Sequence, residues 1–275
     1  MSLKNKLEFA AMTDTGRVRD HNEDAIASNL DTGMVVLADG MGGYNAGEVA
    51  SGIAVKTVYE LTTEACTREV RQERHSDNGL MRQTTVLRDA ISRANKIIHQ
   101  TAHSQESCEG MGTTIVAGMF YDNRLSVAHV GDSRMYRLRN NKLERITLDH
   151  SLLQELVDRG FYSRQEAERS TNKNYVTRAL GVDNVVQVEV QEVAVEPGDL
   201  YLLCSDGLSD MMDDEEIHLT ISTFSANLEK VAEQLVKLSN DHGGKDNISV
   251  MLIQVLEPFP AKTGLWGMLR KLIGR

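Results

Sequence analysis

The pattern of apolar and polar positions predicts a chain in which short strands outnumber helices. Two pairs of apolar runs are separated by turn residues and are predicted to form hairpins. The first pair is Thr113–Phe120 with Leu125–Val130, and the second is Arg134–Arg139 with Leu143–Ile146. Further strands are indicated by apolar runs of buried-strand length or by strict alternation: Met34–Asp39, the stretch with Val186, Val188 and Val190, Leu200–Cys204 and Ile248–Val255.

A helical period appears in three other segments. Apolar residues share one face in Ala46–Ala65, between Leu87 and Ile98, and between Leu228 and Leu238. The third helix is expected to stop at Gly243 and Gly244. Because the hairpins and the long helices are segregated, the pattern predicts an α+β fold rather than repeated βαβ units. Stacked antiparallel sheets flanked by helices would satisfy it.

The segment 149–181 interrupts the hairpin pattern. It contains a predicted short helix, Ser151–Arg159, followed by the polar stretch Ser163–Asn174. An insertion of this kind beside a site is a candidate flap that covers the site or recognises substrate. A surface helical hairpin explains the same residues, so both interpretations stay open.

Composition narrows the classes of function. The chain has 275 residues and no Pro-rich or Ser/Gly-rich linker, which favours one domain. Its formal net charge of −10 argues against non-specific nucleic-acid binding, which needs a basic surface. The 3 cysteines form no CxxC pair and are expected to be free thiols in a reducing compartment. With no secretory signal and no apolar run of about 18 residues, a cytoplasmic location is expected.

Acidic residues recur where an apolar run gives way to a turn or helix signal. Carboxylates at strand ends are poorly placed for a core, and several at one sheet edge would repel one another unless cations lay among them. Oxygen ligands of this kind favour Mg²⁺ or Mn²⁺ over zinc. The pattern therefore predicts a metal-dependent hydrolase. Its candidate ligands are Glu23, Asp24, Asp39, Asp132, Asp206 and Asp246.

Each motif taken singly has a simpler interpretation. Asp39-Gly40 and Asp206-Gly207 are dipeptides typical of hairpin turns. Arg19 can bind phosphate through its planar guanidinium or form a surface ion pair. No GxSxG, HExxH or complete phosphate-loop motif points to another chemistry.

Taken in order, the motifs resemble those of the metal-dependent protein serine/threonine phosphatases, the type 2C or PPM family, and in particular its bacterial branch. The resemblance implies a four-layer α-β-β-α sandwich over residues 1–257. Residues 258–275 lie beyond the resemblance, and their own pattern predicts a basic, amphipathic tail. The matching pieces span most of the chain: Arg19-x-x-Asn22-Glu23-Asp24, Asp39-Gly40-Met41-Gly42-Gly43, Gly112-Thr113-Thr114, Val130-Gly131-Asp132-Ser133-Arg134, Ser205-Asp206-Gly207-Leu208 and Asp246-Asn247.

The resemblance implies a binuclear Mn²⁺ or Mg²⁺ centre. In the family pattern Asp39 bridges the two ions. Glu23 and the carbonyl of Gly40 hold one ion, while Asp206 and Asp246 hold the other. A water between two such cations has a lowered pKa and is expected to attack phosphorus directly, so no phosphoenzyme is needed.

Other residues take supporting roles in the same pattern. A third, weaker ion falls to Asp132 together with Asp206. Asp24 orders waters around the ions, and Arg19 binds the substrate phosphate. One position departs from many eukaryotic members: Met41 stands where they carry a histidine proposed as general acid, and Met41 cannot donate a proton.

The implied partners are phosphorylated serine/threonine proteins and a cognate bacterial serine/threonine kinase, with the chain expected to act as a monomer. Two alternatives stay open: a catalytically inactive binding module of the same fold, and a hydrolase of small phosphate esters. All of the carboxylates expected of an active enzyme are present, which favours an active enzyme over the inactive binding module. The tail can touch an anionic membrane or a partner, although packing on its own domain is favoured.

Overall fold

The structure, a computed structural model, describes residues 3–43, 46–67, 79–163, 166 and 175–260. Its strands are β1 Leu7–Asp14, β2 Asp24–Asn29, β3 Met34–Met41, β4 Gly112–Thr113, β5 Ile115–Tyr121, β6 Arg124–Val130, β7 Arg134–Arg139, β8 Lys142–Arg145, β9 Glu189–Ala194, β10 Leu200–Cys204 and β11 Ile248–Val255. Its α-helices are α1 Ala46–Thr67, α2 Arg82–Ser104, α3 Leu152–Asp158, α4 Asp206–Ser209, α5 Asp214–Phe224 and α6 Leu228–Asp241, and Glu106–Cys108 forms one 3₁₀ turn.

The strands form two antiparallel sheets, which we call the N-sheet and the C-sheet. The N-sheet has the order β2-β3-β5-β6-β9, with β4 paired to β3. The C-sheet has the order β1-β11-β10-β7-β8. Helices α1 and α2 contact the N-sheet, and α5 and α6 lie on the C-sheet side. The predicted α+β, α-β-β-α sandwich is confirmed.

Side-chain alternation explains why the sheets stack. On β3, Val35 and Leu37 belong to the core between the sheets, while Val36 faces the core beneath α1 and α2. On β11, Met251 and Ile253 face the other sheet, and the intervening residues face α5 and α6. A strand buried on both faces needs a continuous apolar run, which is the pattern that predicted these strands.

Both predicted hairpins are confirmed, and their turns explain their register. The central residues of the β5–β6 turn, Asp122 and Asn123, have φ of 43° and 52°. Asn140 and Asn141 between β7 and β8 have φ of 50° and 59°. Two consecutive positive values define the tight turn whose twist matches antiparallel strands, and Asn and Asp tolerate it best.

Some local expectations differ from the structure. A strand that ended near Asn22-Glu23-Asp24 would place a carboxylate beside Asp39; in the structure β2 instead begins at Asp24, and its pairing with β3 sets Asp24 opposite Asp39. Val186 and Val188 precede β9 and pack on the core from outside the strand. Helix α5 was not predicted from its periodicity, although Asp213 and Glu216 form a capping box that marks its start.

The described end of the chain packs on the domain. Phe259 is buried in the core between the sheets, and its backbone N–H donates to Asn123 Oδ1 at 2.6 Å. The amphipathic pattern of the predicted tail falls at 261–275, outside the described residues. Among the helices that the structure describes, none combines the length and apolarity needed to cross a membrane.

Candidate metal centre

The predicted carboxylates are brought together where several strands begin or end. Asp24 at the start of β2 lies opposite Asp39 near the end of β3. Asp206 begins α4 and is separated from β10 by Ser205 alone, and Asp246 lies two residues before β11. Asp132 lies in the loop between β6 and β7. Antiparallel pairing therefore places strand ends that are far apart in sequence at one end of the sandwich.

A chain of hydroxyl groups joins the two sheets at this point. Ser205, which follows β10 of the C-sheet, donates from Oγ to Asp24 Oδ2 of the N-sheet at 2.9 Å. Ser205 Oγ in turn accepts from the backbone N–H of Ser249 at 2.9 Å. Ser249 Oγ and Thr13 Oγ1 share a further hydrogen bond at 2.7 Å. Asp24 is thus positioned by residues of the other sheet.

Asn247 fixes the loop that carries Glu23. Its Oδ1 accepts from the backbone N–H of Glu23 at 2.8 Å. Its Nδ2 donates to the carbonyls of Thr15 and His21 at 2.9 and 3.0 Å. Ser51 on α1 donates from Oγ to the Glu23 carbonyl at 2.6 Å. A single buried amide therefore ties the residue after Asp246 to the residues before Glu23.

Two glycines make room for the Glu23 carboxylate. A Cβ at Gly47, in the first turn of α1, would lie 2.7 Å from Glu23 Cδ and 2.8 Å from its Oε1. A Cβ at Gly40 would lie 2.2 Å from the Gly47 carbonyl oxygen and 2.6 Å from that of Glu23. Side-chain carbons do not approach so closely, so the packing at Glu23 requires glycine at both positions.

Burial makes these carboxylates costly as isolated charges. In the described part of the chain, Glu23 Oε1, Asp24 Oδ1 and Asp206 Oδ1 are buried without a hydrogen-bond partner. Burial, followed by repulsion from neighbouring carboxylates, raises the pKa of Asp39 and Asp206 well above the usual range. Burial also raises the pKa of Asp24 and Asp132 to about 6. Clustered, buried oxygens without donors fit divalent cations that prefer oxygen ligands.

The raised values predict how stability of the metal-free protein depends on pH. An acid whose pKa rises from 3.8 to about 6 on folding binds more protons in the folded state. The free energy of unfolding should therefore fall as pH rises from about 4 to about 6, by about 1.4 kcal/mol for each unit of pKa shift. Thermal unfolding in EDTA across this range measures the slope.

The variant Asp24→Asn is the control for that slope. It removes one titrating carboxyl group while keeping an oxygen that accepts from Ser205 Oγ. The decline in melting temperature with pH should be shallower in the variant. Equal slopes in the two proteins would contradict a raised pKa at Asp24.

Arg19 reaches the centre from the loop before β2. Its Nη2 donates to Asp246 Oδ2 at 2.6 Å, and about half of the side chain is exposed. This hydrogen bond raises the pKa of Arg19. The guanidinium is therefore held beside a predicted metal ligand and open to solvent, which suits a ligand for a substrate phosphate.

A second group with ligand-like spacing was not predicted. The nearest nitrogen or oxygen atoms of His129, His150 and Glu189 all lie within 4.8 Å of one another. His129 is the last residue but one of β6, and it lies opposite Glu189, the first residue of β9, in the N-sheet. Sequence alone did not join these residues, because His150 comes from the start of the segment 149–181.

The two ends of that segment lie together. Ser151 caps α3 and forms a β-bridge with Val176. The backbone N–H of Leu152 donates to the Tyr175 carbonyl at 2.9 Å, and that of Thr177 donates to the His150 carbonyl at 2.8 Å. The predicted short helix is confirmed, and the role as a flap stays a prediction. Residues 164–165 and 167–174 lie outside the described part.

Comparisons with known proteins agree over nearly the whole chain. A family model described as Protein phosphatase 2C matches residues 16–249. The serine/threonine phosphatase stp of Listeria welshimeri is 38% identical over 245 residues, which are 88% of this chain and 93% of that protein. The protein phosphatase PhpP of Streptococcus pneumoniae is 34% identical over 254 residues, covering 91% of this chain and 98% of that one.

Solved structures agree with the fold. The Mycobacterium tuberculosis serine/threonine phosphatase PstP/Ppp has a TM-score of 0.80 and 35% identity, covering 92% of this chain and 100% of that chain. A structure of the PstP catalytic domain in complex with 2 manganese ions has a TM-score of 0.76 and 35% identity, covering 92% and 99%. Staphylococcus aureus Stp1 has a TM-score of 0.80 and 33% identity, covering 94% and 98%.

Proposed function

Because this chain belongs to the protein phosphatase 2C family, and so to the metal-dependent serine/threonine phosphatases, we propose that it hydrolyses phosphoserine and phosphothreonine in proteins at a binuclear centre. Its physiological role would be to reverse a bacterial serine/threonine kinase in the cytoplasm. A nucleic-acid partner is not part of the proposal, because the net charge of −10 argues against non-specific nucleic-acid binding.

The observation that carries the proposal is the complete set of buried and half-buried carboxylates. Asp39, Glu23 and the carbonyl of Gly40 would hold one ion, and Asp39, Asp206 and Asp246 the other. One buried oxygen of Glu23 and one of Asp206 support this assignment, because neither makes a hydrogen bond within the described residues. An inactive binding module of the same fold is disfavoured, since such a relative is expected to have lost one or more ligands.

The donor set limits the choice of ion to hard divalent cations. Carboxylate and carbonyl oxygens suit Mg²⁺ and Mn²⁺, and we propose Mn²⁺ as the better activator on the example of the manganese-bound PstP domain. A third, weaker ion would be held by Asp132 with Asp206. Asp132 is nine-tenths buried and lies close enough for its charge to raise the pKa of Asp206.

The residues of the chain divide the work around the substrate. When bound, the cations lower the pKa of water and neutralise charge on the phosphate. Arg19 orients the phosphate through its guanidinium, and Asp24 orders water from its fixed position beside Ser205. Met41 lies in β3 opposite Gly112 and offers no proton to the leaving oxygen. Protonation of the serine or threonine product therefore depends on another group.

The test is phosphate release from a phosphothreonine peptide by the purified chain. Turnover should require Mn²⁺ or Mg²⁺, stop with EDTA and return when excess metal is added. A phosphotyrosine peptide and a small ester such as glycerol phosphate serve as comparison substrates, and the phosphothreonine peptide should be preferred. No turnover from folded protein with bound metal would overturn the proposal, and preference for the small ester would redirect it.

A further inference from the structure

His150, the second residue of the segment 149–181, makes two hydrogen bonds with Gly131. Its backbone N–H donates to the Gly131 carbonyl at 2.9 Å. Its ring nitrogen Nδ1 lies 3.1 Å from the backbone nitrogen of Gly131, which donates to it. His150 is buried. We call this pair of hydrogen bonds the His150–Gly131 clamp.

The clamp acts on the residue that precedes Asp132. Gly131 has φ of +107°, and a Cβ there would lie 2.6 Å from Thr114 Cβ, so the loop has little freedom to repack. Just beyond Asp132, Ser133 Oγ and Thr114 Oγ1 share a hydrogen bond at 2.7 Å. Thr114 also donates from its backbone N–H to the Asp39 carbonyl at 2.9 Å. Asp132 is therefore held between the clamp on one side and Thr114 on the other.

His150 also joins both ends of the segment 149–181 to the N-sheet. Its carbonyl accepts from the backbone N–H of Thr177 at 2.8 Å. Its ring stacks on His129 of β6 with centroids 4.6 Å apart, and Nε2 lies 3.1 Å from Glu189 Oε2 of β9. One side chain therefore connects the base of the segment, two strands of the sheet and the Asp132 loop.

The hydrogen bonds of His129 and His150 argue against a metal site at His129, His150 and Glu189, despite their spacing. A backbone N–H can only donate, so the N–H of Gly131 requires Nδ1 of His150 to carry no proton. The neutral ring then carries its proton on Nε2 and donates to Glu189. His129 Nε2 donates to the Leu148 carbonyl at 2.7 Å. Both Nε2 atoms are thus committed to protein acceptors.

The charge beside His150 agrees with a neutral ring. Arg178 Nη1 lies 3.1 Å from His150 Nε2. Because both nitrogens carry protons in this tautomer, the contact is not a hydrogen bond, and the positive charge of Arg178 disfavours a second proton on the ring. Burial, with the nearby Arg178 charge, lowers the pKa of His150. A neutral imidazole with a fixed tautomer is the form that can accept from Gly131.

We propose that His150 is a positioning residue that couples the base of the segment 149–181 to Asp132. By holding Asp132 in place, His150 sets the affinity of the weak third cation. The inference rests on the proposed function, because that function assigns Asp132 to this ion. It assigns no role to residues outside the described part of the segment. The proposed coupling depends on one hydrogen bond, which the backbone N–H of Gly131 donates to Nδ1 of His150.

Two substitutions separate this bond from simple packing. His150→Asn places an amide oxygen near the position of Nδ1 and keeps an acceptor for Gly131. His150→Gln keeps reach towards Glu189 and loses the acceptor at Nδ1. Calorimetric Mn²⁺ titration should show the weak ion bound roughly tenfold more weakly in the Gln variant and near wild type in the Asn variant, as expected when a supporting contact of a ligand is lost.

Three other readouts complete the test. Hydrogen exchange of the Gly131 amide should be faster in His150→Gln only. The variant Asp132→Asn should lose the weak ion while Gly131 stays protected. In the wild-type protein, an NMR coupling across the hydrogen bond between Gly131 nitrogen and His150 Nδ1 should be detectable, and this measurement stands even where a variant fails to fold.

Each contrary outcome overturns the proposal. Equal losses in the Asn and Gln variants would reduce His150 to a packing residue. An unprotected Gly131 amide or no coupling in the wild type would remove the clamp. Stoichiometric Zn²⁺ binding that is lost in His129→Ala would show a metal site in place of the clamp. Because these readouts follow binding and exchange rather than turnover, they are separable from a failure of phosphatase activity.

Discussion

Replacing Asp39 with asparagine is expected to abolish phosphate release, with a fall of roughly 10³-fold or more, or about 4 kcal/mol of transition-state stabilisation. Asp39 is the one carboxylate proposed to touch both ions, and the asparagine amide removes the negative charge that two cations share. Asp206→Asn should have an effect of the same order. Initial rates on the phosphothreonine peptide at saturating Mn²⁺ measure both.

The stability of Asp39→Asn gives an independent check. Burial raises the pKa of Asp39 because its charge is unfavourable there without a cation. In EDTA the variant should therefore melt at or above the wild-type melting temperature. Mn²⁺ should raise the melting temperature of the variant much less than it raises that of the wild type. The exposed Asp89 on α2 supplies the matched control, since Asp89→Asn should change neither quantity. Near-normal activity in folded Asp39→Asn would refute its assignment as a shared ligand.

Replacing Gly47 with alanine is the second change with a large expected effect. The added methyl group would meet Glu23 Cδ at 2.7 Å and the Gly40 carbonyl carbon at 2.8 Å. Either Glu23 turns away or the start of α1 shifts, and both displace a proposed ligand. The Mn²⁺ concentration needed for half-maximal activity, and the dissociation constant from calorimetry, should rise about 10–100-fold.

Gly52 is the matched control on the same helix. A Cβ at Gly52 meets nothing within 4 Å. Alanine there should leave Mn²⁺ affinity unchanged and stabilise the protein by about 0.5–1 kcal/mol, because glycine is costly inside a helix. Unchanged Mn²⁺ affinity in both variants would mean that Glu23 is not confined by Gly47. An equal loss of Mn²⁺ affinity in both variants would mean that any alanine in α1 lowers the affinity, so the contact between Gly47 and Glu23 would not be its cause.

The sequence predicted the layers of the fold well where local chemistry decides structure. The two hairpins are marked by Asp-Asn and Asn-Asn turns, and β10 and β11 are marked by long apolar runs. The edge strand β1 was missed because its sequence, LEFAAMTD, does not alternate strictly. Its place in the sheet comes from pairing with β11 rather than from its own pattern.

The candidate site was predicted by residue type, and its supports were not. Carboxylates that follow apolar runs can be recognised in the sequence. The hydrogen bond from Ser205 to Asp24 cannot, because it forms only when the two sheets stack. Gly47 looks like any residue of a helix start until Glu23 is seen against it. The contact of His150 with Gly131 likewise depends on how the segment 149–181 returns to the sheet. Tertiary contacts of this kind leave no period or motif in the chain.

The pairing of the first strand with the last has a consequence for synthesis. Leu7 of β1 lies opposite Val255 of β11, and the proposed centre takes Glu23 from near the beginning of the chain and Asp246 from near its end. At usual translation rates the ribosome makes the intervening residues in tens of seconds. Throughout that time the nascent polypeptide lacks one of the proposed ligands, so we expect it to be inactive. On this assignment, activity begins only when synthesis is almost complete, and fragments from premature termination are expected to be inactive.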